Sequence, residues 1–143
     1  MTQQALSFLK MPVGQTAPGR RYTYGELSLG ELKEPFWSGT YVWTPDKYKR
    51  HWASAARRYL ATRLPVLFYT DVGVRASMAY HVVPTATGLL VFEQIFRDPR
   101  QFLTREGAAR AILRERDRVS CWTAHVTSLH SLATGRGMSA IGR

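Results

Sequence analysis

The sequence has little cysteine, few acidic residues and no long apolar run. Its single cysteine, Cys121, excludes an internal disulfide framework and a zinc site built from cysteines. No apolar stretch approaches the ~18 residues that cross a membrane, and the first residues lack the basic start and apolar segment of a secretion signal. We therefore expect a cytoplasmic protein, and the length of 143 residues predicts a single domain.

Acidic residues are outnumbered two to one, since 10 Asp and Glu face 20 Lys and Arg, which gives a net charge of +10. Sixteen of these cations are Arg and four are Lys. The planar guanidinium suits bidentate contact with carboxylate or phosphate, although a GC-rich genome would produce the same bias without any functional meaning. A field of this sign favours an anionic partner, either nucleic acid or a protein with an acidic face.

The clearest predicted element is a helix over about 44–62. Thr44 is a suitable N-cap, Pro45 fits the first helical position, and Asp46 complements the helix dipole. One side has apolar residues at helical spacing, namely Tyr48, Trp52, Ala55 and Tyr59. The other side is polar and carries Lys47, Arg50, Ser54, Arg57 and Arg58.

Strands rich in β-branched and aromatic residues surround this helix. The pattern predicts strands at 64–72, 76–83, 89–96 and 118–126, and a weak strand at 22–32 that Gly25 and Gly30 interrupt. A second helix is expected at about 104–115, and a short C-terminal helix capped by Thr127 should follow the last strand. Hairpin connections imply a mainly antiparallel sheet of about five strands with helices on one face, an α+β fold.

The domain boundaries follow from composition. Residues 1–22 contain two prolines and two glycines without a sustained period, and they predict a flexible N-terminal arm. Residues 23–134 then form the single α+β domain, and 135–143 form a flexible C-terminal tail.

No pattern predicts catalysis or metal binding. The sequence lacks a phosphate-binding glycine loop, a His-Glu-x-x-His motif and a serine elbow. None of the four histidines, His51, His81, His125 and His130, has another at helical i,i+4 spacing on a predicted helix. We therefore expect no catalytic residue, no metal and no cofactor.

One alternative is a single-stranded nucleic-acid-binding domain, because such proteins combine basic grooves with aromatic side chains. Two basic clusters would serve it: Arg57, Arg58 and Arg63, and Arg110, Arg114, Arg116 and Arg118. A further alternative is a small metal-independent ribonuclease, in which His81, Glu93, His125 and an arginine converge from adjacent strands on one phosphate.

A resemblance to a known family is carried by the segment "YVWTPDKYKRHWASAARRYL". It resembles the Trp-Thr-Pro-acid-Asp-Tyr-x-x-Gln-Trp helix start of immunity proteins from bacterial contact-dependent growth inhibition systems, with Lys47 and His51 as departures. The matching positions, which form a scaffold signature, are Trp43, Thr44, Pro45, Asp46, Tyr48 and Trp52. In outline the resemblance covers residues 36 to 133, including the strands that follow the helix.

This resemblance implies a non-catalytic inhibitor in the cytoplasm that binds the toxic C-terminal domain of a contact-dependent inhibition effector. A net charge of +10 would then require a toxin with an acidic face, or an interface that avoids the toxin's catalytic cleft. As the candidate toxin interface we predict the charged turn "RERDR" between the second helix and the last strand, which comprises Arg114, Glu115, Arg116, Asp117 and Arg118.

Overall fold

The structure is a computed structural model that describes residues 6–7, 14–17, 20–29, 32–115 and 121–134. These ranges hold eight strands in two antiparallel sheets, together with three α-helices and two short 3₁₀ turns. The predicted α+β class is therefore confirmed, with more strands than the approximately five expected.

The first sheet is built around one long strand. Its members are β1 (Leu6–Ser7), β2 (Gly14–Ala17), β3 (Arg20–Leu29) and β4 (Leu32–Gly39). β4 pairs with β3 along its length, so β1 and β2 share the other edge of β3. The sequence had not predicted β1, β2 or β4. Flexibility of residues 1–22 stays a prediction.

Gly25 does not interrupt β3, because the phenyl ring of Phe36 on β4 occupies the space above it. A Cβ atom at position 25 would lie 2.2 Å from ring atoms of Phe36. The missing side chain thus lets Phe36 cross over β3 and point into the protein. Gly30, the other predicted interruption, lies outside the described residues.

The second sheet follows the chain order. It consists of β5 (Val66–Asp71), β6 (Ser77–Pro84), β7 (Leu89–Phe96) and β8 (Cys121–Ala124), and all its pairings are antiparallel. These are the four strands predicted after the long helix. The turn between β6 and β7 is held by Thr85, whose N–H donates to Gly88 O and whose hydroxyl accepts from Gly88 N–H.

Helix α1 (Pro45–Thr62) begins and ends where the sequence predicted. The Thr44 hydroxyl accepts from the Lys47 N–H at 3.2 Å, and the predicted apolar residues of the helix are all buried. The helix ends at Arg63, which adopts a left-handed backbone with φ 55° and donates its N–H to Tyr59 O. No helix within the described ranges is both long and apolar enough to cross a membrane.

The prediction that all helices lie on one face is wrong. α1 and the short α3 (His130–Ala133) cover one face of the second sheet. The 3₁₀ turn Pro99–Phe102 and α2 (Arg105–Glu115) cover the other. Consecutive residues of β6, from Ala79 to Val83, are buried because both faces are covered.

The C-terminal segment begins with a 3₁₀ turn, Val126–Leu129, which leads into α3. Thr127 is not its cap. Leu129 is at the N-cap position of α3, and His125 caps the 3₁₀ turn, because its backbone is extended and its Nδ1 accepts from the Thr127 N–H at 3.3 Å. The predicted tail, 135–143, lies outside the described residues.

Candidate functional site

Two residues of the scaffold signature connect α1 to both sheets. The Tyr48 hydroxyl donates to Gly39 O at 2.7 Å and accepts from the Val72 N–H at 2.9 Å. It therefore joins the end of β4 to the residue that follows β5. Burial raises the pKa of this hydroxyl to about 12, so it keeps its proton and its role as donor at neutral pH.

Trp52 makes a second connection. Its indole Nε1–H donates to Tyr69 O at 2.8 Å, and the ring of Phe36 stacks on it at 5.7 Å with an interplanar angle of 17°. The indole is fully buried between α1, β4 and β5. These aromatic residues of the signature thus contact the protein itself.

His51 closes the open edge of β5. β5 is the first strand of its sheet, so the backbone groups on one side of it have no partner among the described strands. Nε2 of His51 accepts from the Tyr69 N–H at 3.2 Å and lies 2.9 Å from Leu67 O. Burial lowers the pKa of His51 to about 4, so the ring is neutral at neutral pH. Trp52 also donates to Tyr69 O, so side chains of α1 hydrogen-bond backbone groups that a neighbouring strand would otherwise pair.

His81 is fully buried on the α2 face of the second sheet. Its Nε2–H donates to Phe102 O at 2.7 Å, and the rings of Phe92 and Phe102 pack against it. The remaining nitrogen, Nδ1, has no hydrogen-bond partner among the described residues. Burial lowers the pKa of His81 to about 4, which leaves it neutral.

The structure does not bring together the residues of the ribonuclease alternative. His81 lies opposite Phe92 on the α2 face, whereas Glu93 is the next residue of β7 and points to the other face. His125 lies beyond the end of β8, where it caps the 3₁₀ turn. Across the described residues, no group of three or more His, Cys, Asp or Glu side chains could hold a metal ion.

The predicted toxin interface falls at the end of α2. Arg114 and Glu115 are the last two residues of that helix. Residues Arg116, Asp117 and Arg118 lie outside the described part of the chain. The role of the "RERDR" turn therefore stays a prediction.

Exposed cations lie along the outer side of α1, at Lys47, Arg50, Arg57 and Arg58, as the spacing predicted. Arg57 also has a structural contact, since its Nη1 donates to Ala133 O at the end of α3. Elsewhere on the surface, Trp37 is 55% exposed and Tyr41 is 68% exposed.

A cleft of about 460 Å³ opens between the end of α1, the β6–β7 turn and the start of α2. Pro65, Val83 and Pro84 give it apolar walls, and Arg63 and Arg105 bring two positive charges. No Asp or Glu of the described residues lines it. Sequence reasoning had placed Arg63 in a general basic cluster and had not singled out Arg105.

Comparison with known proteins adds one likeness. No protein-family model and no curated protein matches this sequence. The fold is similar to that of a chain in the solved CdiA-CT/CdiI toxin and immunity complex from Enterobacter cloacae, with a TM-score of 0.68 and 10% sequence identity. The match covers 92% of this chain and 97% of that one, so the two share a fold over nearly their whole length.

Proposed function

We propose that this chain is an immunity protein that binds and neutralises the toxin domain of a contact-dependent growth inhibition effector in the cytoplasm. The observation that carries the proposal is the shared fold with a chain of a toxin and immunity complex. The helix start supports the immunity member of such a pair, because it resembles that of immunity proteins.

The chemistry of the described residues suits a non-catalytic inhibitor. His51, His81 and His125 hydrogen-bond the protein's own backbone, and so do Tyr48 and Trp52. Cations remain on the surface, and they would speed association with an acidic partner. We therefore propose a toxin domain with an acidic face, with the "RERDR" turn as one contact.

A second candidate function, single-stranded nucleic-acid binding, is favoured by the exposure of Trp37 and Tyr41 on a chain of charge +10. Nucleic-acid bases stack on exposed aromatic rings of this kind. The buried Tyr48 and Trp52, in contrast, leave no ring surface for a base.

Co-expression tests the proposal. The chain is produced together with the toxin domain encoded beside its gene, and with a non-cognate toxin domain as the control. We expect restored growth and a stable complex with the neighbouring toxin domain alone. Failure to form that complex, with salt-sensitive retention of single-stranded DNA or RNA, would favour the second candidate. Cleavage of RNA by the purified chain, lost in His125→Ala, would contradict both.

A further inference from the structure

Two arginines of the cleft occupy positions where other residue types are preferred. Arg63 has φ 55°, the only positive φ of a non-glycine residue in the described ranges, and glycine is the residue that adopts this conformation without a steric penalty. Arg105 is the first residue of α2, at the positive end of the helix dipole, where a cation is unfavourable. The C-terminal end of α1 favours a cation, so Arg63 is unusual only in its backbone conformation, whereas Arg105 is unusual in its charge.

Both arginines line the same concave space. Arg63 and Arg105 are exposed residues that line one cleft, although they are 42 positions apart in sequence. The Arg63 guanidinium carbon lies 5.7 Å from the ring centroid of Tyr59, which restricts its freedom before any partner arrives. Misfit residues that converge on one cleft are expected at a functional site.

The walls of the cleft are held in place. The β6–β7 turn is closed by the two hydrogen bonds between Thr85 and Gly88. The start of α2 is fixed by Thr104, whose hydroxyl accepts from the Gly107 N–H at 3.0 Å and whose carbonyl accepts from the Ala108 N–H. A group entering the cleft would therefore meet a rigid site and lose less free energy in ordering it.

We propose that this cleft receives an acidic side chain, Asp or Glu, from a segment of the toxin domain. Two arginines beside apolar walls suit a carboxylate carried on an otherwise apolar segment. A nucleic-acid backbone would instead need a groove of cations that follows successive phosphates. The proposal rests on the proposed function, and it places a contact at the start of α2, about 15 Å along the helix from Arg114 and Glu115 at its end.

The test compares two double variants that lower the net charge equally. Arg63→Gly with Arg105→Gln removes both cations of the cleft, and Arg50→Gln with Arg75→Gln removes two exposed cations elsewhere. Arg75 lies before the start of β6, at the other end of that strand from the cleft. Binding of the neighbouring toxin domain is measured by biolayer interferometry, and the Tm of each variant by circular dichroism.

We expect the cleft variant to raise Kd by about 100-fold, mostly through faster dissociation, because charge-assisted hydrogen bonds are lost. Its Tm should not fall, since glycine fits the backbone at position 63. The control variant should change Kd by less than about threefold, mainly through the association rate. Charge reversal gives a further check. A toxin domain in which the contacting Asp or Glu is replaced by Arg should bind an Arg63→Glu variant more tightly than the unchanged toxin domain does.

Three results would overturn the proposal in distinguishable ways. If the parent chain binds the toxin domain and the cleft variant changes Kd by less than about threefold, the proposed function stands and the cleft proposal is refuted. If the cleft variant no longer retains single-stranded DNA but binds the toxin domain as the parent does, the cleft binds nucleic-acid phosphate and not a toxin carboxylate. If the parent chain forms no complex with the toxin domain, both the proposed function and the cleft proposal are refuted.

Discussion

Protonation of His81 should destabilise the fold as the pH falls, and His81→Gln isolates this effect. Nε2–H is already used as a donor to Phe102 O, so a second proton would have to go on Nδ1. That nitrogen is buried and faces no acceptor in the described structure. Gln at position 81 is able to keep an N–H donor near Phe102 O and does not titrate.

The size of the effect follows from the two pKa values. His81 has a pKa of 6.5 when unfolded and about 4 in the native state. The unfolded chain therefore binds a proton first as the pH falls, and the native state loses stability between about pH 6.5 and pH 4. Linkage gives a loss of about 2 kcal/mol at pH 5 and about 3 kcal/mol at pH 4, relative to pH 7.5.

Urea unfolding of the parent and of His81→Gln at pH 7.5, 6 and 5 measures this loss. We expect the difference in unfolding free energy between the two proteins to change by about 2 kcal/mol in favour of the variant between pH 7.5 and pH 5. His51 and the carboxylates are present in both proteins, so their effects cancel. His130→Gln, at an exposed position, is the control and should follow the parent. Parallel pH profiles for parent and His81→Gln would refute the reasoning.

Three substitutions test the contacts that fix α1 and β4. Tyr48→Phe should lower the unfolding free energy by about 2 kcal/mol, because Gly39 O and Val72 N lose their shared partner; an unchanged urea midpoint would contradict this. Thr44→Ala should cost about 1 kcal/mol through the lost N-cap, and Thr44→Ser, which keeps the hydroxyl, should recover most of it in the same assay. Gly25→Ala should lower Tm by about 3 °C or more, because the new Cβ meets the Phe36 ring. Phe36→Leu replaces that ring with a smaller side chain, so Gly25→Ala should lower Tm less in the Phe36→Leu background. If the Tm changes of the two single variants simply add in the double variant, the contact is excluded.

α1 could be predicted from the sequence because several independent signals coincide in it. The cap, the first-turn proline and the apolar spacing all involve residues close together in the chain, from Thr44 to Tyr59. The strands of the second sheet were also predicted, since short apolar runs between turn residues need little long-range information.

β4 was not predicted, because its sequence "LKEPFWSG" contains a proline within the strand and a glycine at its end. Proline lacks the N–H that a central strand would donate. Among the described strands β4 pairs with β3 alone, so Pro35 lies in an edge strand, where a missing donor is tolerated. That pairing depends on the whole sheet and leaves no local signal.

The cleft was beyond prediction for a similar reason. Its two cations come from the end of α1 and the start of α2, and the turn after β6 completes it. Each arginine alone resembles an ordinary surface cation. The signal that could have drawn attention to them was their position, one at a helix end that favours glycine and one at a helix start that favours an acid.

The residues of the scaffold signature and the two arginines of the cleft therefore have different physical roles in this chain. Tyr48 and Trp52 satisfy backbone groups of β4 and β5, so a change there costs stability whichever partner binds. Arg63 and Arg105 are exposed, and the backbone around them would accept other residues at least as well. Under the proposed function, selectivity among toxins should follow substitutions at the cleft, and stability should follow substitutions at the signature.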